Sequence, residues 1–262
     1  MTQPLASRKE RPWWRDAVTY QIYIRSFADS NGDGIGDING IASRLAYLKE
    51  LGIDAIWITP WFPSPQKDHG YDVANYFDIE PDYGTLADAK ALIAEAHAIG
   101  IRILLDIVPN HCSDQHEWFQ AALTAAPGSK ERDRFHFLDG KGKNGELPPN
   151  NWPSVFGGVA WQRVIEADGK PGQWYLHLFA TEQPDFNWEN RDVREHFENI
   201  LKFWLDLGID GFRIDVAHAM IKAEGLPDIV EPEKGNEMLS ATQQPFWDQE
   251  GVHDIHRSWR KI

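Results

Sequence analysis

The chain has 262 residues, 42% apolar and 25% charged, with a formal net charge of −14, the composition of an ordinary globular protein of one large domain or two modest ones. The acidic balance excludes a nucleic-acid partner, which would need clustered Lys and Arg, and the single cysteine, Cys112, excludes an internal disulfide framework. The opening residues show no apolar signal segment and no run reaches transmembrane length, so a cytoplasmic protein without a membrane partner is expected.

The first element, AVTYQIYIRSF (residues 17–27), is β-branched and aromatic and predicts a strand. DSNGDGIGD (residues 29–37) follows, with acid or amide oxygens at Asp29, Asn31, Asp33 and Asp37. This is nearly the EF-hand loop, but Gly40 stands where the closing Glu belongs, and a strand rather than a helix leads in. The spacing therefore predicts a metal loop placed after a strand.

GIASRLAYLKELG (residues 40–52) has apolar residues at helical spacing and a Gly stop. IDAIWIT (residues 53–59) reads as a buried parallel strand. After a Pro- and Gly-rich loop, residues 86–100 predict a second amphipathic helix and residues 101–108 a third strand. The aromatic stretch from 109 to about 188 is too long for a βα loop and predicts an inserted subdomain. The rhythm resumes with a helix at 192–208, a strand at 210–217 and a final helical segment, HDIHRSWRKI.

Repeated βα units with buried strands predict an α/β fold with a parallel sheet. No Gly-rich phosphate fingerprint follows a strand, which favours a (βα)8 TIM-type barrel over a dinucleotide-binding sheet. About the first four βα units are expected. Residues 1–108 would form the first part of the barrel, 109–190 the inserted subdomain, and 191–262 the barrel's continuation. The expected strand ends are Arg25, Trp57, Asp106 and Asp215.

DIVPNH (residues 106–111) and GFRIDVAH (residues 211–218) resemble two signature segments of the α-amylase family, glycoside hydrolase family 13. QPDFNW (residues 183–188) resembles the segment that marks its oligo-1,6-glucosidase and α-glucosidase branch. The resemblance implies a retaining hydrolase with Asp215 as nucleophile. A glycosidase of this kind needs a carboxylate nucleophile roughly 5–5.5 Å from a carboxylic acid. Arg213, two residues before Asp215, would keep the nucleophile ionised; the bland alternative is a structural Asp–Arg pair at a strand end.

By the same resemblance, Asp68 and His111 would hydrogen-bond the hydroxyls of the bound glucose, and Tyr71 would stack under its ring. Phe156, Phe179 and Gln183 match positions that wall the pocket; their plainer role is subdomain core. Asp106 would support Arg213. The loop after the first strand would bind a structural Ca²⁺ through Asp29, Asn31, Asp33 and Asp37 side chains and the Ile35 carbonyl, with Mg²⁺ as the alternative occupant.

The family's acid is a Glu after the fifth strand, and no residue here matches it. Glu224, Glu231, Glu233 and Glu237 read as a solvated acidic loop. The expected activity is release of terminal α-linked glucose from maltose, isomaltose or similar oligosaccharides through a glucosyl-Asp intermediate, with residues 1–262 alone inactive. A trehalose synthase or sucrose-converting relative is one alternative, and a non-catalytic glycan-binding or scaffold protein another. Val216 resembles the 1,6-preferring pattern. Open sheet edges would favour self-association.

Overall fold

The computed structural model describes residues 12–229 and 244–262. Four parallel strands form one sheet in the order β1-β2-β3-β7: β1 Thr19–Ile22, β2 Ala55–Ile58, β3 Arg102–Ile107 and β7 Gly211–Ile214. Thr19 pairs with Ala55, and Ala55 with Arg102, so the first three strands run in one register. This is part of a (βα)-type barrel. An antiparallel sheet of order β4-β6-β5 is inserted after the third strand: β4 Phe137–Leu138, β5 Trp161–Ile165 and β6 Pro171–Leu176. The apolar runs behave as buried strands should, with Ile22, Ile56, Ile58, Ile103 and Leu105 fully buried.

The helices in chain order are α1 Ile24–Phe27, α2 Ile38–Ser43, α3 Leu45–Glu50, α4 Leu86–Ala98, α5 Glu117–Thr124, α6 Lys130–Asp133, α7 Arg191–Leu207 and α8 Gly251–Trp259. Helix α4 starts on a capping box in which Thr85 accepts from the Asp88 N–H and Asp88 accepts from the Thr85 N–H.

Three sequence expectations need correction. The strand predicted over 17–27 ends at Ile22, and Arg25 sits on the short helix α1 rather than at a strand end. The β-branched and aromatic content that suggested a strand serves a tight fold-back instead. The Gly36 and Asp37 N–H groups donate to the Arg25 and Ala28 carbonyls, and a Cβ on Gly36 would collide with the Ile24 carbonyl oxygen. The helix predicted over 40–52 is two helices, broken at Arg44 where ψ is −1°. The fourth strand stops at Ile214, so Asp215 follows the strand rather than lying in it.

The chain divides into two compact units. The first comprises Met1–Trp61, Ile79–Asp106 and Leu207–Arg213. The second comprises Phe62–Asp78, Ile107–Asp206 and Ile214–Ile262, and contains the inserted sheet. Its core includes Trp152, Trp161, Leu178, Phe179, Phe246 and Trp247. Buried polar tips anchor its loops: the Tyr76 hydroxyl donates to the Val108 carbonyl at 2.8 Å, and Trp188 Nε1 to the Pro109 carbonyl at 2.8 Å. Among the described residues no helix is long and apolar enough to cross a membrane.

Candidate active site

In the first unit, Asp106 occupies the penultimate position of β3 and is fully buried. Arg213 on β7 donates to its Oδ1 at 3.1 Å, and Trp57 on β2 donates to its Oδ2 at 3.0 Å. The Arg213 guanidinium also lies over the Trp57 ring, 4.8 Å from its centroid. Three neighbouring strands thus converge on one carboxylate, whose charge is matched by a stacked cation.

In the second unit, the loop carrying Asp68 is organised by a residue the sequence did not single out. Asp72 is fully buried and accepts the Lys67 and Asp68 N–H groups at 2.8 and 2.9 Å, together with the Ser64 hydroxyl at 3.0 Å. His69 and Gly70 have φ of 52° and 100°, which turns the chain sharply there. The Tyr71 N–H donates to the Asp68 carbonyl at 2.9 Å, closing that turn.

The half-buried Asp68 carboxylate accepts from Gln183 Nε2 at 2.9 Å. The same amide nitrogen lies 3.1 Å from His111 Nε2. Burial raises the Asp68 pKa and the Gln183 hydrogen bond pulls it back. Burial pushes the His111 imidazole towards its neutral form, against the opposing charges of Asp185, Asp215 and Asp68. Phe179 lies tilted beside His111, with ring centroids 4.9 Å apart, and Phe156 stands edgewise against Phe179 at 5.6 Å. Phe179 is buried, whereas Phe156 is 59% exposed.

Asp215 follows β7, and its N–H donates to the Ile107 carbonyl at 2.8 Å. Val216 next to it has φ of 44°, an uncommon backbone for a β-branched residue that costs about 1–3 kcal/mol. Its side chain packs against the core of the second unit, and its carbonyl accepts the Ala219 N–H at 3.0 Å. The strained turn is therefore held from both sides.

Three further buried polar residues stand behind His111. Asn110 Nδ2 donates to Asp185 Oδ2 at 3.0 Å, and Lys222 Nζ lies 2.8 Å from both Asp185 Oδ2 and Asn110 Oδ1. Asn110 and Asp185 fall inside the motifs already noted, where their neighbours drew attention. Lys222 gave no signal, because a lysine in sequence reads as solvated surface. Glu224 is exposed, while Glu231, Glu233 and Glu237 lie outside the described residues.

The loop of residues 29–37 is shaped by its own oxygens. Asp29 accepts the N–H groups of Asn31, Gly32 and Gly34 at 3.0, 2.7 and 2.8 Å, which hold its carboxyl below the usual range. Asp33 accepts from the Ile35 N–H at 2.7 Å and from Asn31 Nδ2 at 3.0 Å. Asp37 differs: it is buried, caps α2 by accepting the Gly40 N–H, and takes two hydrogen bonds from Ser30 at 2.9 Å. The donors are all hard oxygens and suit Ca²⁺ or Mg²⁺ chemically. As placed, however, among the described residues no three His, Cys, Asp or Glu side chains gather where they could hold a metal ion.

The parallel βα sheet with an antiparallel sheet inserted after its third strand defines a barrel-type protein, and in the second unit imidazole, amide and carboxylate groups gather beside aromatic rings. The chain belongs to the α-amylase family: residues 21–262 match its catalytic domain. It is 49% identical over 234 residues to the oligo-1,6-glucosidase of Parageobacillus thermoglucosidasius, covering 89% of this chain and 40% of that protein. A probable alpha-glucosidase of Rhizobium meliloti is 46% identical over 250 residues, covering 95% of this chain and 44% of that protein. Among solved structures, trehalulose synthase MutB from Pseudomonas mesoacidophila MX-45 superposes with a TM-score of 0.85 at 42% identity, over 96% of this chain and 43% of MutB. Trehalose-6-phosphate hydrolase of Bacillus licheniformis gives 0.84 at 41% identity, over 96% of this chain and 42% of that one. The chain thus spans about two-fifths of the length of the relatives it matches.

Proposed function

We propose that this chain supplies the nucleophile and the glucose-holding groups of a retaining site that acts on α-glucosides. The observation that carries this is the Asp68–Gln183–His111 cluster, with His111 also within the field of Asp215. In this reading Asp215 attacks the anomeric carbon, the C–O bond to the leaving sugar breaks, and a glucosyl-Asp ester forms. Asp68 accepts from a glucose hydroxyl, His111 donates to one, and Tyr71, Phe156 and Phe179 cover the ring. The acid that protonates the leaving oxygen is assigned to the part of the relatives' length that this chain does not span.

Two acceptors distinguish two readings. Return of the glucosyl group to a sugar is favoured by the superposition on trehalulose synthase, a mutant of which has been solved with its substrate sucrose. Transfer to water, as in hydrolysis of short α-1,4- or α-1,6-glucosides, is favoured by the identity to oligo-1,6-glucosidases. Product analysis with sucrose and with isomaltose decides between them: an isomeric disaccharide supports the first, free glucose alone the second. Asp215→Asn in the same enzyme should lower kcat by several powers of ten with the fold intact. A variant that keeps a tenth of its activity would remove Asp215 from the nucleophile's role.

Calcium at the loop of residues 29–37 remains part of this proposal on donor chemistry alone, with the side chains of Asp29, Asn31, Asp33 and Asp37 and the Ile35 carbonyl as the ligands. The metal would staple the loop and takes no part in the reaction.

A further inference from the structure

A buried hydroxyl ties the two aromatic residues beside His111 together. Ser154 is buried, and its Oγ donates to the Phe179 carbonyl at 2.7 Å while accepting the Phe156 N–H at 3.1 Å. A hydroxyl carries one proton and spare lone pairs, so both bonds form at once. The rings themselves meet edge to face at an interplanar angle of 74°. They differ in freedom. Phe179 is buried between His111 and Trp247, with centroids 4.9 and 6.4 Å away, whereas Phe156 is mostly exposed.

The base of the turn that carries Phe156 has anchors of its own. The Val155 N–H donates to the Leu178 carbonyl at 2.7 Å, and the His177 N–H to the Ala160 carbonyl at 2.8 Å. The chain reverses at Gly157 and Gly158, with φ of 98° and 79°, and the Gly157 N–H donates to the Ser154 carbonyl at 3.0 Å. None of these bonds uses the Ser154 hydroxyl. Without it the Phe179 carbonyl would still have His177 Nδ1 at 3.0 Å. The hydroxyl's own contribution is therefore at the tip, where it fixes the backbone that carries the Phe156 ring. A ring left loose on an exposed turn must be ordered when a ligand arrives, and that lost freedom weakens binding.

We propose that Ser154 is a positioning residue that links Phe156 to the Phe179 backbone, so that the two rings form one wall ordered before the sugar binds. The link stands on the two hydrogen bonds of its hydroxyl. Its consequence for substrate rests on the reading of the site as one for α-glucosides.

The test reads the link and the turnover separately, in the full-length protein. In spectra of ¹⁵N-phenylalanine-labelled protein the Phe156 amide is assigned by its loss in Phe156→Ala. Ser154→Ala should shift that signal and speed its exchange with water about tenfold, the scale of one lost hydrogen bond. With the sugar that the enzyme turns over, isomaltose or sucrose, Ser154→Ala should raise KM about three- to tenfold. Its kcat should change by less than about twofold, because a wall holds substrate and transition state alike. In a Phe156→Ala background the same substitution should leave KM where it is. Unaltered exchange at Phe156 overturns the link. Altered exchange with an unchanged KM, or a KM rise that persists without the Phe156 ring, overturns the positioning role and leaves Ser154 a structural residue. A protein that acts on no α-glucoside refutes the reading of the site, and exchange at Phe156 still decides the link.

Discussion

Arg213 reaches both carboxylate oxygens of Asp106 from a single nitrogen, Nη1, at 3.1 and 3.2 Å. Asp106 is fully buried, while the Arg213 side chain is 36% exposed. In Asp106→Asn one oxygen could still accept from Arg213, but the new NH₂ would face the Trp57 Nε1–H that Oδ2 now accepts. A donor facing a donor in a buried site should cost about 1–3 kcal/mol. Urea unfolding should show a lower midpoint at an unchanged slope; an unaltered midpoint would mean that the strands do not depend on this carboxylate.

Acid should destabilise the second unit through its buried histidines. Burial lowers the pKa of His116 to about 3 and of His136 and His196 to about 4. Unfolded, each titrates near 6.5, so below that pH the unfolded chain binds more protons than the folded one. The stability carried by these neutral rings is complete above 6.5 and is lost progressively as pH falls towards 4 and then 3. Every tenfold loss of proton affinity on folding corresponds to about 1.4 kcal/mol. The melting temperature measured from pH 7 to pH 4 should fall, and His196→Gln should fall less steeply over the same range. Equal slopes would mean that other groups carry the acid sensitivity.

The loop of residues 29–37 gives a metal test. If Asp29, Asn31 and Asp33 hold Ca²⁺, adding the ion to chelator-treated protein should raise the melting temperature, because a ligand that binds only the folded state stabilises it. Asp33→Ala should abolish the rise. A melting temperature indifferent to calcium in both proteins would show that the hydrogen bonds of the loop suffice by themselves.

The strands were legible because continuous apolar runs bounded by Gly and polar loops read as buried parallel strands. Their ends were not. Tyr23 to Phe27 look as β-prone as Thr19 to Ile22, and only the close approach at Gly36 and Gly40 shows that the chain folds back. The break at Arg44 is likewise silent, since residues on both sides keep helical spacing. At the site, Asp68, His111, Gln183 and Asp215 were readable as motif residues. Asp72, Asn110, Asp185 and Lys222 act by holding other side chains. Lys222 lies 112 residues from its partner Asn110, a distance over which neither periodicity nor spacing informs.

In the proposed reaction Asp215 forms the bond to the sugar. Incubating the enzyme with a fluorinated α-glucosyl fluoride bypasses the need for a strong acid, because fluoride leaves readily, and the ring fluorine slows release of the ester. Digestion and mass spectrometry should then find a single fluoroglucosyl adduct on the peptide that contains Asp215, absent from Asp215→Asn. An adduct on another carboxylate, or turnover of the reagent with no adduct at Asp215, would contradict the assignment.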